Sequence, residues 1–568
     1  MSEPKANSAQ ATTDQTTGRR IARATGAITL INGLGFLVGL VTRQVINHEF
    51  GLGAVNKAFE LARLPHDTIF SVGNDLLPHS VIPVVSAEMK EGGDRRAWQL
   101  ASMIGAIQLR IVGVLAALTL IGAPLLLVWF LRAPGHSLHL HGWDYWSLLL
   151  GHRPSAAVEP TFGLTVTMAR IILLGTIFAS LSSLTYLTLN VHKQFALPAL
   201  GDLASKLTIL VVGVGLSYGL ATRPGNPVIL GFAIAMAAAA LTRLGVHLVA
   251  LRGKLRLVQR GVDWSSPALR RVGVLMLPLV IGVVAAQVVR PWNDAFFTSQ
   301  LPGGLVALKT ARRITDPLVQ IFPVALGIAF FPFLADLAAR GNLRGLGEVA
   351  MRGLRVVAFA FLPLAVGVLM VGPPAIRLLF EHGKFTPTDT AYTVSALNWY
   401  AIGMIFLGAE QVVLQVYYAM SDTRTPVAFG LMGIGLHLLL SWAGITYLAK
   451  GGGAHPLMGF AVIAAAYALS KALKVIVLLL LMPRHVAEVP WEEGALLFGK
   501  LLIACAGMAA AIWLVQQLGA SVFAHGLHGR ILAVLAPTAA AVVVFALAAW
   551  ALRIEEARLV WNALRRRR

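Results

Sequence analysis

Apolar residues occur along this chain in long blocks that are separated by short polar segments. Most blocks are about twenty residues long, the length that a helix needs to cross about 30 Å of hydrocarbon. About fourteen blocks of this length can be read between Gly26 and Leu552,. The pattern therefore predicts an all-α polytopic membrane protein with about fourteen transmembrane helices and no sizeable soluble domain.

The distribution of basic residues indicates how the predicted helices are oriented. Only 13% of the 568 residues are charged, about half the share in soluble domains,. Lys and Arg cluster before the first helix, at Arg19, Arg20 and Arg23, in alternate loops, and in the tail Arg565–Arg568. Because cytoplasmic loops carry an excess of Lys and Arg, both termini are predicted to be cytoplasmic. The net charge of +21 is spread over these loops, which favours contact with anionic phospholipids over nucleic acid,.

Two segments in different halves of the chain resemble each other. "AFELARLPHDTIF" and "ALKTARRITDPLV" align without a gap when Arg63 is placed on Arg312, which also places Pro83 on Pro332. An even number of predicted spans separates them, so the two halves would point the same way in the membrane. Parallel repeats of this kind form transporters with a site between the halves. Chance similarity between two apolar segments is the alternative interpretation.

The repeat predicts a division of the chain into five parts. They are a disordered N-terminus (1–24), an N-lobe of six helices (25–251), a C-lobe of six helices (266–482), a C-terminal helix pair (492–553) and a basic tail (554–568). The first part is polar and rich in Ser, Thr and Gln, a composition typical of disorder.

Charged residues inside the predicted spans need an explanation. In the eighth span, Lys309, Arg312, Arg313 and Asp316 recur at three- and four-residue steps, which predicts one shared helix face,. Each such charge at a helix centre costs roughly 2.5–3.5 kcal/mol on insertion scales. Water, a counter-charge or a ligand must therefore compensate these residues.

Arginines from both halves predict a hydrated cationic cavity that binds an anion. A guanidinium group binds phosphate through two parallel hydrogen bonds and stays charged when it is partly desolvated. The alternative is that these arginines reach the headgroups or pair with Asp294 and Asp316. The candidate substrate-binding residues are Arg43, Arg63, Asn74, Asp75, Arg290, Asn293, Arg312 and Arg313.

Other charged residues in the spans are weaker candidates. Asp202 and Lys206, four residues apart, are read as a structural ion pair,. No role in substrate binding is assigned to the remaining ones: Arg110, Arg170, Arg243, Glu410, Lys471 and Lys474.

The sequence offers no motif of an enzyme. It has no phosphate-binding glycine loop and no nucleophile elbow,. The paired acids Glu492–Glu493 and Glu555–Glu556 are assigned to helix ends. We therefore expect no catalytic residues and a transporter, not an enzyme.

Metal binding is not predicted either. The loop 136–152 contains several histidines but no cysteine, and its aromatic residues are typical of an interfacial segment,. The single cysteine, Cys505, lies in an apolar span and excludes an intrachain disulfide,. The histidines are His136, His139, His141 and His152.

Two motifs in the second half resemble a known family. "GKFT" and "DT" in Gly383–Thr390 and "YYAMSDTRTPV" in Tyr417–Val427 are similar to sequences of the MurJ/MviN branch of the multidrug/oligosaccharidyl-lipid/polysaccharide exporter superfamily. The resemblance extends over nearly the whole chain. It implies fourteen helices, two six-helix lobes around a cationic cavity, and a C-terminal helix pair that forms a groove for a polyprenyl tail.

The resemblance also implies a function. The implied protein is a flippase in the bacterial cytoplasmic membrane. It moves a polyprenyl-pyrophosphate-linked saccharide, the peptidoglycan precursor lipid II, from the inner to the outer leaflet by alternating access. Alternatives are a flippase for another lipid-linked oligosaccharide or exopolysaccharide, a non-transporting scaffold of cell-wall synthesis, and an exporter of small cations, which would need an acidic cavity.

The expected partners follow from the same resemblance. They are the lipid-linked saccharide, anionic phospholipids and the cell-wall synthesis machinery, with the chain acting as a monomer. No cofactor is expected. Membrane potential, sodium or protons could supply the driving force, since moving one charge through 100 mV is worth about 2.3 kcal/mol.

Only some of the functional residues of the family have a matching residue in this chain. The eighth-helix arginine corresponds to Arg312 or Arg313, and the internal repeat favours Arg312. Lys57 stands where the family usually has an acidic residue. A seventh-helix carboxylate that binds sodium in some members matches Asp294, while its usual eleventh-helix partners are replaced by residues near His437 and Ser441. The candidate ion-coupling residues are Asp294 and Asp316.

Overall fold

The computed structural model describes most of the chain between residues 30 and 558. The described ranges are 30–131, 142–150, 152, 159–192, 194, 196–222, 228–259, 261–299, 301, 303–422, 424–449, 456–482, 486 and 489–558. Some side chains within the helices are also outside the described part, among them those of Asn74, Asp75 and residues 320–329. No strand occurs among the described residues.

Long helices make up almost all of the described chain, and we number them α1 to α14. One helical run, Ala54–Phe130, contains a break at Gly93 (φ 66°) that divides it into α2 and α3. Short π-helical segments lie in α7, at Ala285–Val289, and at the end of α11, at Gly444–Ala449. The bounds are α1 Leu30–Phe50, α2 54–92, α3 94–130, α4 Phe162–Val191, α5 Ala196–Ala221, α6 Leu230–Leu251, α7 267–298, α8 Gly304–Ala339, α9 Leu343–Phe380, α10 Pro387–Ala419, α11 424–449, α12 Pro456–Leu481, α13 Trp491–Leu518 and α14 Gly526–Ala551.

The helices confirm an all-α polytopic membrane protein. Within the described residues, 11 helices are long and apolar enough to cross a membrane, or 12 if α7, bent by 50°, is counted as one span. One of these spans, Ser80–Leu125, runs through the break at Gly93, and α8 is not among them. These criteria therefore do not confirm the predicted number of fourteen spans.

The chain packs as two compact units. Unit 1 contains the described part of Met1–Val45 together with Ala58–Trp292, and unit 2 contains Ile46–Lys57 and the described part of Asn293–Arg568. The boundary in the second half of the chain thus lies inside α7, and the turn between α1 and α2 packs in unit 2. The predicted lobes, 25–251 and 266–482, are not identical with these units and stay a prediction.

The α1–α2 turn is held in unit 2 by close backbone contacts. The backbone N–H of Lys384 donates to the carbonyl oxygen of His48 over 2.8 Å, and Asn56 donates to the carbonyl oxygen of Gly51 over 2.6 Å. Gly383 lies against His48 with a φ of +61°, and a Cβ atom there would collide with the His48 carbonyl oxygen. Glycine is therefore required at position 383 both for the left-handed backbone and for the space.

The C-terminal helices α13 and α14 pack on α9 in unit 2. Apolar contacts join Leu362 of α9 to Leu497 and Leu501 of α13. The guanidinium group of Arg355, on α9, forms ion pairs with Glu493, Glu555 and Glu556 at 3.0, 3.0 and 2.7 Å. The acidic pairs that were assigned to helix ends thus also attach both C-terminal helices to α9.

Substitution of Gly383 by alanine tests the contact of the α1–α2 turn. We expect Gly383→Ala to destabilise the protein by roughly 1–3 kcal/mol, because a left-handed alanine is strained and meets the His48 carbonyl oxygen. Gly435→Ala is the control, since nothing lies within 4 Å of a Cβ atom at this helical position. Thermal unfolding in detergent should show a lower midpoint for the first variant alone. Equal midpoints would contradict this description of the turn.

Candidate functional site

In unit 1, the predicted arginines are grouped around Glu60 of α2. Arg43, on α1, forms a buried ion pair with the Glu60 carboxylate. Arg63 lies one turn after Glu60, with an Nη1 to Oε1 distance of 3.8 Å, and also approaches Asp67 at 3.5 Å. The side chain of Glu60 is 1% exposed. The buried Glu60 carboxylate therefore compensates Arg43 and, together with Asp67, Arg63, two arginines that would each be costly in a bilayer,.

Sequence reasoning did not include Glu60 among the site residues. A usable signal was present, because Glu60 stands three residues before Arg63 and so lies on the same helix face,. Its contact with Arg43 on α1 was not visible in the sequence pattern.

In unit 2, Arg312 of α8 is paired with Asp294 of α7. The Nη1 atom of Arg312 lies 2.6 Å from Oδ2 of Asp294, whose side chain is 1% exposed. The guanidinium carbon also lies over the rings of Tyr400 and Tyr467, 4.9 and 5.6 Å from their centroids. Because a carboxylate and two aromatic faces surround it, the charge of Arg312 is stabilised inside the helical bundle.

The helices that carry the arginine and the carboxylate of the buried pair are exchanged between the two units. In unit 1 the arginine is on α1 and the carboxylate is on α2, whereas in unit 2 the carboxylate is on α7 and the arginine is on α8. The repeat alignment places Lys309 at the position of Glu60. Each unit therefore holds a buried arginine–carboxylate pair that uses different positions of the repeat.

The neighbour of Asp294, Asn293, contacts α11. Its Nδ2 atom lies 3.2 Å from Nε2 of His437 and 3.4 Å from Oγ of Ser441. The two α11 residues noted in the sequence thus contact Asn293. The ring of His437 also packs against Tyr467.

The remaining predicted residues differ in their surroundings. Arg313 and Asp316 are exposed on α8, while Arg312 is mostly buried. The shared helix face of these residues stays a prediction, and the exposure of Arg312 and Arg313 differs because consecutive residues point about 100° apart on a helix of 3.6 residues per turn. Arg290 is partly buried in unit 1. The side chains of Asn74 and Asp75 lie outside the described residues.

Two further charged groups lie inside the units. In unit 1, Arg243 of α6 pairs with Asp202 of α5 at 2.7 Å, so Asp202 has a partner on another helix in addition to its predicted neighbour Lys206. In unit 2, the Glu410 carboxylate of α10 binds Lys471 and Lys474 of α12 at 3.0 and 2.6 Å.

The Oδ1 atom of Asp294 is buried without a hydrogen-bond partner among the described residues, whereas Oδ2 faces Arg312. Hard cations are bound by oxygen ligands, and the nearest charged group to this carboxylate is the guanidinium of Arg312 at 2.6 Å. A sodium ion at the same oxygen would be repelled by this fixed positive charge. Among the described residues, no group of three His, Cys, Asp or Glu could hold a metal ion; His136, His139 and His141 lie outside them.

Comparison with known sequences shows similarity over most of the chain. The family model described as "Lipid II flippase MurJ" matches residues 46–534. A "Probable lipid II flippase MurJ" of Bdellovibrio bacteriovorus is 26% identical over 426 residues, which cover 71% of this chain and 74% of that protein. The "Lipid II flippase MurJ" of Burkholderia cenocepacia is 23% identical over 399 residues, covering 69% and 72%.

Solved structures confirm the fold. A lipid II flippase MurJ in an inward closed conformation superposes with a TM-score of 0.68 at 19% identity, over 92% of this chain and 99% of that one. An inward-facing multidrug resistance transporter of the MATE family, from the MOP superfamily, superposes with a TM-score of 0.58 at 12% identity, over 78% and 97%. The chain therefore has the fold of these transporters.

Neutralising Glu60 tests whether it compensates both arginines. Glu60→Gln would leave Arg43 buried without its counter-charge, and we expect a loss of stability of about 3–5 kcal/mol. Glu348→Gln is the control, because the ion pair of Glu348 with Arg344 is exposed and should be worth at most about 1 kcal/mol,. Thermal unfolding of both variants in detergent is the measurement. A stable Glu60→Gln protein would show that Arg43 is compensated in another way.

Proposed function

The chain belongs to the lipid II flippase MurJ family, and from this premise we propose that it moves lipid II, a polyprenyl-pyrophosphate-linked saccharide, across the bacterial cytoplasmic membrane. The direction we propose is from the inner to the outer leaflet, by alternating access of the kind used by parallel-repeat transporters. In this proposal both termini are cytoplasmic and no covalent chemistry takes place.

The observation that carries this proposal is the unsatisfied hydrogen-bonding capacity of Arg312. Its Nη1 atom faces Asp294, but its buried Nε and Nη2 atoms have no hydrogen-bond partner among the described residues. A buried donor without a partner costs about 1–3 kcal/mol. Two such donors on one guanidinium match the two oxygens of a phosphate. We therefore propose that the pyrophosphate of the substrate binds at these two atoms.

The Asp294 carboxylate has a separate task in this proposal. It keeps Arg312 charged and oriented in an apolar bundle while the substrate is absent, and it leaves one edge of the guanidinium unused. Arg312 and Asp294 together carry no net charge, so a doubly charged pyrophosphate is attracted through the two donors of Arg312 that Asp294 does not face and through the charge of the neighbouring Arg313 on α8. In unit 1, the Glu60 group with Arg43 and Arg63 would act on the anion in the same way.

The pairing of the carboxylates in these groups disfavours export of small cations. Around Glu60, the two carboxylates of Glu60 and Asp67 are both paired with the arginines Arg43 and Arg63. A cation exporter needs carboxylates that are not already neutralised. The arginine groups therefore favour an anionic headgroup over a cationic substrate.

We propose that membrane potential, and not sodium bound at Asp294, supplies the driving force. The potential is negative inside, so a negatively charged headgroup that moves outward gains about 2.3 kcal/mol per charge per 100 mV. The same potential favours the return of an empty, positively charged site toward the cytoplasm. Arg312 occupies the carboxylate to which sodium would otherwise bind.

The role of Arg312 can be tested by a substitution that keeps its charge. Arg312→Lys retains a partner for Asp294 but removes the planar two-donor edge, so we expect transfer to fall about tenfold, the equivalent of one charge-assisted hydrogen bond. The measurement is movement of lipid II in proteoliposomes, followed by the accessibility of its headgroup to an impermeant reagent. The matched control is Arg340→Lys directly after the same helix, where the side chain is 72% exposed. Full activity of a folded Arg312→Lys protein would refute this role.

The driving force can be tested in the same proteoliposomes. At equal ionic strength, replacement of sodium by N-methylglucamine should leave the rate of transfer unchanged within about twofold, because no sodium is required at Asp294. An imposed inside-negative potential should accelerate transfer. A rate that saturates with sodium concentration and vanishes without it would contradict the proposal, whereas it would leave the binding role of Arg312 intact.

A further inference from the structure

Unit 1 contains a second charged cavity that the proposed flipping function does not use. The cavity has a volume of about 290 Å³ and lies between α2, α4, α5 and α6. Its polar lining is formed by Ser183, Tyr186, Asp202 and Arg243, and its wall on α2 by Gly73 and Leu77. It is distinct from the Glu60 group, and none of the candidate residues of the flippase site whose side chains the structure describes lines it.

Arg243 is held in a fixed position in this cavity. Its Nε atom lies 2.7 Å from Oδ1 of Asp202, and its guanidinium carbon lies 5.1 Å from the ring centroid of Phe70 and 5.7 Å from that of Tyr186. Gly201 leaves the space that the ring of His247, one turn after Arg243, needs, because a Cβ atom there would lie 2.5 Å from Nε2 of His247. The charged head of Arg243 is therefore oriented before any ligand binds.

The polar groups of the cavity leave hydrogen-bonding capacity for a ligand. Among the described residues, the buried Nε atom of Arg243 has no hydrogen-bond partner, although Oδ1 of Asp202 lies 2.7 Å away. The carboxylate of Asp202 and the hydroxyl-bearing side chain of Tyr186 line the same cavity. The Asp202 side chain is 37% exposed. The described lining of the cavity thus presents donors and an acceptor side by side, with one positive and one negative charge.

This arrangement selects the charge type of the ligand. A simple anion would bind Arg243 but meet the carboxylate of Asp202, and a simple cation would meet the opposite conflict. A ligand with a phosphate and a primary ammonium group satisfies both residues. Since a water molecule takes about 30 Å³, the cavity has room for roughly ten heavy atoms, about the size of a phosphoethanolamine group.

The depth of the cavity is consistent with a lipid headgroup. Asp202 lies six residues after the start of α5 and Arg243 eight residues before the end of α6, which corresponds to about 9 and 12 Å along the helices,. By the predicted topology both of these helix ends are cytoplasmic. The pair therefore lies one to two turns below the inner surface, where it can be reached by headgroups of the inner leaflet.

We propose that this cavity binds the headgroup of a zwitterionic phospholipid of the phosphoethanolamine type, with the phosphate on Arg243 and the ammonium on Asp202. The bound headgroup would join α2 to the α5–α6 pair through Tyr186 of α4. The same zwitterion could also be supplied as a free small molecule, and the two sources are separated in the test.

The test compares three phospholipids with identical acyl chains, phosphatidylethanolamine, phosphatidylcholine and phosphatidylglycerol. Each is titrated onto delipidated protein, and bound lipid is counted by native mass spectrometry. We expect phosphatidylethanolamine to bind at least tenfold more tightly than phosphatidylcholine, whose ammonium cannot donate a hydrogen bond to Asp202, and than anionic phosphatidylglycerol. Competition by free O-phosphoethanolamine at low concentration would assign the site to the soluble zwitterion instead of the lipid.

Variants decide whether the cavity is the binding site. Arg243→Gln and Asp202→Asn should each abolish the preference for phosphatidylethanolamine, and Tyr186→Phe should weaken it severalfold. The double variant Arg243→Gln with Asp202→Asn leaves no unpaired charge and keeps the test valid if a single variant does not fold. Arg252→Gln, at the exposed end of α6, is the matched control and should bind as the unchanged protein does.

Two results would overturn the proposal. The first is equal or tighter binding of phosphatidylglycerol, which would make the cavity an anion site. The second is a preference for phosphatidylethanolamine that survives in the folded double variant, which would place the lipid elsewhere on the protein.

Discussion

The fold depends on compensation of arginine charge inside apolar helices. In each unit the first two helices are joined by a buried arginine–carboxylate pair, Arg43 with Glu60 in unit 1 and Asp294 with Arg312 in unit 2. Removal of one partner would leave a charge in low dielectric, which is more costly than the pair itself is favourable. A buried pair of this kind is weak evidence for stability, and its presence is in keeping with the anion-binding role that we propose for the arginine.

The two pairs also explain how a bilayer protein can keep an anion site ready. A guanidinium group can offer two parallel hydrogen bonds to a phosphate. Asp294 faces only one nitrogen of Arg312, and two further nitrogens stay without a protein partner in the described part of the chain. The tyrosine faces of Tyr400 and Tyr467 stabilise the cation without using its donors. The arginine is thus held in place while its hydrogen bonds remain available.

The sequence predicted the helices and the arginines better than it predicted the pairs. Apolar block length sets the helical architecture, helical periodicity grouped the charged residues of α8, and the internal repeat favoured Arg312 among them,. Helical periodicity did not identify the partner of Arg312, for which Asp294 and Asp316 were both candidates, because periodicity describes one helix at a time. Which side chains meet across two helices depends on their rotation and packing. For the same reason the contact of Glu60 with Arg43 and that of Asp202 with Arg243 became visible only in the structure.

The packing units show a second limit of sequence reasoning. The α1–α2 turn follows the first helix directly, yet it packs in unit 2 through His48 and Gly383. The motif around Gly383 was noted as a family resemblance, and its physical basis is the space that this glycine leaves for the turn. A contact between residues more than three hundred positions apart leaves no periodic signal in either segment.

The central claim is that the pyrophosphate of the substrate binds the unused edge of Arg312. The most direct measurement is a cryo-electron microscopy map of the protein in nanodiscs with lipid II bound. We predict pyrophosphate density within hydrogen-bonding distance of Nε and Nη2 of Arg312, with Asp294 still on Nη1. Headgroup density that contacts only uncharged residues, with Arg312 bound to Asp294 alone, would contradict the account.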